Sequence, residues 1–225
     1  MEEGMEKEII DMKIDIYEEN QKLGEKIRAE LSKRKILSVN ILGSAGAGKT
    51  STLVRLIERI KGIPVTVIEG DLETDIDTRK LQSLGIDAYQ INTNGICHLD
   101  SPMIEAILRK KDIPDGAILF VENIGNLVCP ADFDIGEHVR IVISSVPEGS
   151  DKPYKYPVIF QHTSAVVLNK SDLAPYIDFD MPYFVEGVNV MCPGAPLFEV
   201  SAKNDTGFDA LAEWIIAERK KILQI

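Results

Sequence analysis

Gly43-Ser44-Ala45-Gly46-Ala47-Gly48-Lys49-Thr50 is the stretch of sequence that decides the fold. It fits the pattern GxxxxGK[ST], in which glycines let a loop bend tightly enough to aim successive backbone N–H groups at a phosphate. Lysine brings a positive charge to the β- and γ-phosphate oxygens, and the threonine hydroxyl is suited to coordinate Mg²⁺. The motif therefore predicts a P-loop that binds and hydrolyses a nucleoside triphosphate, with Ser51 completing the nucleotide-binding segment.

Short apolar runs alternate with helical patterns around this motif. The runs predict buried strands at residues 36–42, 64–69, 117–122, 139–145 and 165–169, and helical patterns cover residues 50–60, 100–110 and 206–223. Because strand and helix alternate, we expect an α/β fold of the P-loop NTPase type, with a mostly parallel sheet flanked by helices. Residues 147–157 are polar and contain Pro and Lys, which predicts a loop.

The first 35 residues differ in character from the rest. Apolar side chains recur there at mostly helical spacing among many charged ones, which predicts an amphipathic helix with a possible break at Gly24. We therefore expect an N-terminal helical extension at residues 1–35 and a nucleotide-binding domain at residues 36–225. The apolar positions are Ile9, Met12, Ile16, Leu23, Ile27 and Leu31.

Composition excludes several classes of function. The 225 residues include 36 Asp and Glu against 25 Lys and Arg, a net charge of −11, which disfavours sequence-independent binding to nucleic acid or to an anionic membrane. Three cysteines without a CxxC pair suit a reducing cytosol, and no apolar run reaches the roughly 18 residues of a membrane span. We expect a soluble cytoplasmic protein.

Acidic residues follow two of the predicted strands. Glu122 ends the strand AILFVE, at the place where P-loop enzymes carry the carboxylate that holds the Mg²⁺ shell. Asp71 and Asp75 follow the strand PVTVIE and are candidates for contact with Mg²⁺ or the attacking water. Each of these carboxylates can also be read as a solvated loop charge.

A second tetrapeptide predicts the base. Asn169-Lys170-Ser171-Asp172 fits the pattern NKxD, in which the Asp172 carboxylate accepts hydrogen bonds from guanine N1–H and the exocyclic amine. Adenine has no N1–H donor, so this pattern favours GTP over ATP. The later segment Ser201-Ala202-Lys203 is expected to close over the base.

Two cysteines and a histidine form a candidate soft-metal set. Cys97 and His98 are adjacent, and Cys129 lies seven residues after Glu122. Thiolate and imidazole ligands suit Zn²⁺ or Ni²⁺ rather than Mg²⁺. Spacing alone leaves the alternative open that these are small buried side chains, which is the reading we keep for Cys192, His138 and His162.

Together these segments resemble the HypB family of hydrogenase nickel-incorporation GTPases, which is related to the urease accessory GTPases. The matching segments are GSAGAGKTS from residue 43, EGD from 69, GICHLD from 95, ENIGNLVCP from 122, SVPEGSDKPYKYP from 145 and NKSDL from 169. They span residues 36 to 203.

The resemblance implies that Cys97, His98 and Cys129 are the ligands of Ni²⁺ or Zn²⁺. It also implies a nucleotide-dependent homodimer with hydrogenase maturation partners and the hydrogenase large subunit as its contacts. One departure is that residues 1–35 contain no Cys and no His, whereas some members carry an N-terminal metal-binding motif.

The expected function is therefore a GTP-hydrolysing metallochaperone. Two alternatives stay open: a regulatory GTPase switch with inert Cys and His side chains, and a metal-dependent dimerisation scaffold with vestigial hydrolysis. No obvious glutamine comes directly after the Glu122 motif to orient water, so we expect slow turnover. Lys152 and Lys155 are candidates to reach a partner subunit's nucleotide, with a solvated loop as the alternative.

Overall fold

The structure is a computed structural model that describes residues 2–71 and 75–225, with side chains from residue 16 onward. Its strands are β1 (Leu37–Gly43), β2 (Val65–Asp71), β3 (Asp87–Asn92), β4 (Ile118–Glu122), β5 (Val139–Ser145), β6 (Ala165–Asn169) and β7 (Leu197–Glu199). Its helices are α1 (Glu2–Lys33), α2 (Lys49–Ile57), α3 (Ile76–Ser83), α4 (Ser101–Leu108), α5 (Lys152–Lys155), α6 (Pro157–Gln161), α7 (Met181–Met191) and α8 (Phe208–Leu223).

The strands form one parallel sheet in the order β3-β2-β4-β1-β5-β6-β7. The chain moves to one side of β1 for β2, β3 and β4 and to the other for β5, β6 and β7, so β1 lies at the topological switch point where such sheets bind ligands. In register, Glu122 of β4 lies beside Ile41 of β1 and Glu69 of β2. The carboxyl ends of these central strands therefore meet at one edge.

Helices cover both faces of the sheet. Adjacent residues of a strand point to opposite faces, and Phe120 packs with α2 and α8 whereas Leu119 packs with α1 and α4. Phe160 of α6 packs with residues of α7 in a third apolar cluster. The central strands β1, β4 and β6 are buried throughout, as expected for a parallel sheet between helices. The predicted α/β fold is confirmed.

Helix α1 runs through Gly24 without a break. The absence of a Cβ at Gly24 is what allows this close packing, because a Cβ there would lie 2.8 Å from the Asp134 carboxylate. Ile27 and Leu31 are buried in the core beneath the sheet, whereas Ile16 is 57% exposed. Among the described side chains of the predicted apolar stripe, those in the C-terminal part of α1 face the core. The side chains of Ile9 and Met12 lie outside the described residues.

Several predicted boundaries differ from the structure. The sequence patterns did not predict strands β3 and β7 or helices α3 and α7. The predicted loop at residues 147–157 contains α5, and Pro157 begins α6. Helix α8 begins at Phe208, two residues after the predicted start at residue 206, because Gly207 has φ +83 and lies outside the helix. Within the described residues, no helix is long and apolar enough to cross a bilayer.

Candidate functional site

The P-loop connects the carboxyl end of β1 to the first turn of α2. Gly48 precedes α2 with φ +92, and a Cβ at this position would lie 2.3 Å from Asn169 Nδ2. Only glycine satisfies both the backbone and the space. The loop residues Ala45, Gly46, Gly48, Lys49, Thr50 and Ser51 line a cavity of about 390 Å³. The free N–H groups and positive dipole end of α2 suit this cavity to an anion.

Lys49 is buried and folded back on its own loop. Its Nζ donates to the carbonyl oxygens of Gly43 at 3.3 Å and Ser44 at 3.2 Å. Burial lowers the pKa of Lys49, while the nearby carboxylates oppose that shift. A phosphate in the cavity offers the ammonium group stronger, charged acceptors than these two carbonyls.

Glu122 lies at the floor of the same cavity. Its Oε1 accepts from Thr50 Oγ1 at 2.9 Å, whereas its Oε2 is buried without a hydrogen-bond partner among the described residues. Burial raises the pKa of Glu122 to about 8, against the attraction of Lys49. A buried orphan oxygen beside a threonine hydroxyl is an oxygen donor set that fits Mg²⁺.

Two further carboxylates line this cavity that the sequence patterns did not single out, Glu69 and Asp77. Glu69 is buried at the end of β2 and accepts from Thr78 Oγ1 at 2.6 Å, and burial raises its pKa to about 7. Asp71 also lines the cavity. Asp75 does not, and its carboxylate instead pairs with Arg79 at 2.7 Å at the start of α3. Asp71 at the end of β2 and Asp77 in the first turn of α3 therefore line the P-loop cavity, whereas Asp75 between them does not.

Glu148 is a further residue that sequence reasoning missed. The Ser44 hydroxyl of the P-loop donates to Glu148 Oε1, and Ser145 Oγ donates to Glu148 Oε2 at 2.7 Å. Glu148 lies three residues after the end of β5, the strand next to β1 in the sheet. It therefore ties the P-loop to the 147–157 segment that carries the two lysines discussed above.

The predicted base-reading segments converge beside the P-loop. Asn169 Nδ2 donates to Ala47 O at 3.0 Å, and Asn169 Oδ1 accepts from Ala202 N at 3.2 Å. Ser201 Oγ donates to Asp172 Oδ1 at 2.6 Å, and Lys170 Nζ donates to Gly46 O at 2.7 Å. Lys203 follows on the exposed side. Asn169 thus holds the two segments and the P-loop in one fixed arrangement.

Cys97, His98 and Cys129 also come together, although 32 residues separate the cysteines. The two Sγ atoms are 2.7 Å apart, and Cys97 Sγ is 3.9 Å from His98 Nδ1. Hydrogen bonding to Cys129 and burial raise the pKa of the Cys97 thiol, and burial lowers the pKa of His98. All three side chains are half-buried and can be reached from solvent.

These three residues are not yet arranged as a metal cage. Two thiolates on one tetrahedral ion lie about 3.8 Å apart, and a thiolate and an imidazole nitrogen about 3.6 Å apart. The Cys97–His98 separation is close to that value, whereas the two sulfurs must part by about 1 Å. Accordingly, no group of three His, Cys, Asp or Glu side chains in the described part of the chain already forms a metal cage.

Two asparagines after Glu122 connect the phosphate side with the cysteines. Asn123 Oδ1 accepts from the backbone N of Leu99, the residue after His98, at 3.2 Å. Asn126 forms a backbone bridge with Gly43 of the P-loop, donates to Cys97 O at 3.4 Å and accepts from Val128 N at 2.9 Å. These hydrogen bonds connect the loop after β4 to the backbone at or next to both cysteines.

Of the remaining soft side chains, Cys192 and His138 are in structural roles, whereas the predicted buried role of His162 is wrong, because its side chain is exposed at the end of α6. Cys192 is buried, and its thiol donates to Val188 O at 3.2 Å. His138 Nδ1 accepts from Ser38 N at 3.0 Å, and its Nε2 faces Ser32 Oγ at 2.8 Å, which holds the ring neutral with its proton on Nε2. Burial and Arg28 lower the pKa of His138 to about 4.

Comparison with known proteins identifies the family. The family model described as the CobW/HypB/UreG nucleotide-binding domain matches residues 37–199. The hydrogenase maturation factor HypB of Escherichia coli (strain K12) is 39% identical over 215 residues, which cover 95% of this chain and 74% of that relative.

Two solved structures are similar over nearly their whole length. HypB from Helicobacter pylori, solved in complex with nickel, has a TM-score of 0.85 and 32% identity and covers 90% of this chain and 96% of its own. HypB from Archaeoglobus fulgidus has a TM-score of 0.82 and 36% identity and covers 89% and 98%. With this sequence, fold and P-loop, the chain belongs to the CobW/HypB/UreG family and, within it, to the HypB hydrogenase maturation factors.

Proposed function

We propose that this chain is a cytoplasmic GTPase metallochaperone that binds Ni²⁺, or Zn²⁺, and delivers it for insertion into [NiFe] hydrogenase during maturation. Its substrates are GTP with water, and its cargo is the metal ion. The working form is a homodimer that docks on other maturation proteins and on the hydrogenase large subunit.

The nucleotide half of the proposal rests on the P-loop and the NKSD segment. Lys49 transfers its hydrogen bonds from the loop carbonyls to the phosphate oxygens, and the N-terminus of α2 holds the β-phosphate. Asp172, which already accepts from Ser201, offers its carboxylate to guanine N1–H and the exocyclic amine. Asp71, Asp77 and Glu69 surround the γ-phosphate end and can orient the attacking water.

Thr50 and Glu122 are the residues that would hold Mg²⁺ in this scheme. The buried Oε2 of Glu122 supports that role, since the described residues offer this oxygen no hydrogen bond. When bound, the ion neutralises charge that develops on the phosphate oxygens. The chain itself keeps the threonine hydroxyl and the carboxylate at 2.9 Å from one another.

One observation supports the metal-binding part of the proposal: Asn126 contacts Gly43 of the P-loop, the backbone of Cys97 and the backbone of Val128 next to Cys129. A GTPase with inert cysteines has no need of such a link. Because the two sulfurs must part to accept an ion, a movement of the loop after Glu122 can favour or oppose metal capture. The nickel complex of the Helicobacter pylori relative supports nickel as the cargo.

The dimer supplies a route to faster turnover. Lys155 is ion-paired with Asp151 and Lys152 lies 5.1 Å from the centre of the Tyr156 ring, so neither reaches this chain's own cavity. In a dimer these lysines can stabilise the charge on the partner subunit's nucleotide. Specific activity should therefore rise with protein concentration across the dimerisation constant, and a flat profile would argue against this arrangement.

The test of the proposal uses Lys49→Ala and Cys129→Ala in parallel. Lys49→Ala should abolish GTP binding or turnover and retain nickel binding in equilibrium dialysis, whereas Cys129→Ala should retain GTP binding and lose nickel. Cys192→Ala, which removes a buried thiol that donates to Val188 O, is the matched control for Cys129.

Two outcomes would contradict the proposal. Unchanged GTP hydrolysis in Lys49→Ala would remove the P-loop assignment. A parent protein that binds no nickel would leave a regulatory GTPase without a delivery role, the main alternative. A parent that binds nickel but has no measurable GTP turnover would instead be a metal-dependent scaffold.

A further inference from the structure

The ring of His98 is stacked on an aromatic residue that the proposed function does not use. The centroid of Phe133 lies 3.8 Å from that of His98, with 20° between the ring planes. On its other side, Phe133 contacts Tyr17 of α1, with centroids 5.2 Å apart and 40° between the planes. Phe133 therefore stands between the N-terminal helix and a metal-site side chain.

The segment that carries Phe133 is held by hydrogen bonds from α1 and the start of α4. Buried Asn20 donates to Asp134 O at 2.8 Å and accepts from Ser101 N at 2.8 Å. Ser101 Oγ donates to the same carbonyl at 2.6 Å. Arg28 donates to the Asp134 carboxylate at 2.7 Å and to Glu137 O at 2.7 Å. Asn20 thus joins three segments, and Ser101 is only three residues from His98.

Stacking constrains an imidazole in a way that suits coordination. A metal ion binds in the plane of the ring through a nitrogen lone pair, so a neighbour on the ring face leaves both nitrogens available. That neighbour also prevents rotation about the bond that joins the ring to Cβ. With the ring fixed, His98 Nδ1 stays near the separation from Cys97 Sγ that one shared ion requires.

We infer that Phe133, held in place by Asn20 of α1, is a positioning residue for His98, and that helix α1 thereby sets the affinity of the metal site. This inference rests on the proposed role of His98 as a ligand. Metal-ligand histidines generally depend on partners that orient the ring, and loss of such a partner weakens metal binding by about 10-fold to 100-fold. Here the orienting partner is an aromatic face instead of a hydrogen-bond acceptor.

The test measures the nickel dissociation constant of the full chain by competition with a chromophoric chelator. Phe133→Leu should weaken nickel binding about 10-fold, and Phe133→Tyr, which keeps the stack, should restore it. The affinity for a GTP analogue should not change in either variant. Phe179→Leu is the matched control, since Phe179 is another half-buried aromatic residue, 5.5 Å from the Phe184 ring and in a different cluster.

A double-mutant cycle separates positioning from a general loss of structure. In a His98→Ala background, Phe133→Leu should cost nothing further, because there is no ring left to orient. The thiolate-to-nickel charge-transfer band should persist in Phe133→Leu while the ligand-field bands shift. An unchanged dissociation constant in Phe133→Leu, or the same penalty in both backgrounds, would overturn the inference.

The helix is tested separately, so that a poorly folding Phe133 variant still leaves a decisive result. Asn20→Ala should weaken nickel binding several-fold and leave GTP-analogue affinity unchanged, whereas Gln21→Ala, which removes an exposed amide one residue along α1, should do neither. Equal nickel affinities in Asn20→Ala and the parent would refute the role of α1. A parent that shows no nickel-thiolate band would instead refute the proposed function, so the two failures are distinguishable.

Discussion

Replacing Glu122 with glutamine should stabilise the nucleotide-free protein while it disables the site. Oε1 of this buried side chain accepts a hydrogen bond from Thr50, but Oε2 has no partner in the part of the chain that the structure describes. Burial raises the pKa of Glu122 to about 8, compared with about 4.3 in an unfolded chain. Between these two values the folded state holds a proton that the unfolded state has released.

The direction and size of the effect follow from proton linkage. For a carboxyl group with a raised pKa, the unfolded state binds fewer protons, so the free energy of unfolding falls as the pH rises through this window. Between about pH 5 and pH 7.5, Glu122 should lower the free energy of unfolding of the parent protein by about 3 kcal/mol. Glutamine cannot ionise and can still accept from Thr50, so Glu122→Gln should avoid that loss.

Urea unfolding in EDTA without nucleotide measures the effect. Parent and Glu122→Gln should be nearly equally stable at about pH 5, with the variant about 3 kcal/mol more stable at about pH 7.5. Burial also raises the pKa of Glu69, and the Glu69 charge helps to raise the pKa of Glu122, so the difference between the two proteins reports position 122 together with its interaction with Glu69. Glu213→Gln, at an exposed position on α8, controls for removal of one negative charge.

The same variant should lose function. Magnesium-dependent GTP turnover should fall by about 10-fold to 100-fold, because a neutral amide is a poorer ligand for the ion than a carboxylate. A stability gap that did not change with pH, or a variant less stable than the parent at about pH 7.5, would refute the reasoning that position 122 carries a buried carboxyl group without compensation.

Three further predictions test the remaining parts of the site. Asp172→Asn should weaken GTP binding and reduce its preference over ATP, measured as dissociation constants for both nucleotides; Asp178→Asn, at an exposed position, should match the parent. Nickel affinity in the parent should differ between the GDP and GTP-analogue forms by about 5-fold to 150-fold, and Asn126→Ala should bring that ratio towards one; a ratio unchanged in the variant would exclude this link. Because the pKa of His138 is lowered to about 4, the unfolded state takes up a proton first as the pH falls, and the parent should lose stability below about pH 6.5, by no more than about 3 kcal/mol, since the ring is partly solvent-accessible. His138→Gln should flatten that dependence in urea unfolding, and His162→Gln should not.

Local patterns predicted much of the architecture. The phosphate loop is a chemical motif whose glycines and lysine lie within eight residues, and its strand–loop–helix context follows from the same local stretch. The central strands were found because a strand buried on both faces is a continuous apolar run. The strands β3 and β7 were missed because they lie at the sheet edges, where such a run is not required.

The acidic residues show where pattern reasoning stops. Asp71, Asp75 and Asp77 all follow one strand, and the sequence contains nothing that says which carboxylates face the phosphate side. The answer depends on where α3 begins, since this turns Asp75 towards Arg79 and leaves Asp77 facing the cavity. Glu69 was missed because a carboxyl group at a strand end resembles an ordinary surface charge until its burial is known.

The sequence by itself determined the P-loop and predicted a guanine-type base segment, because each is encoded by residue types within a few positions, whereas the soft-ligand set was predicted only through the resemblance to a family. Only the tertiary structure decided how these parts meet. It brought together two thiols 32 residues apart, joined Asn126 to both the P-loop and Cys97, and placed Phe133 of a distant loop on the face of His98. The physical reason is that such contacts depend on strand order, register and helix packing, which are set by burial across the whole chain and leave no local signal in any one segment.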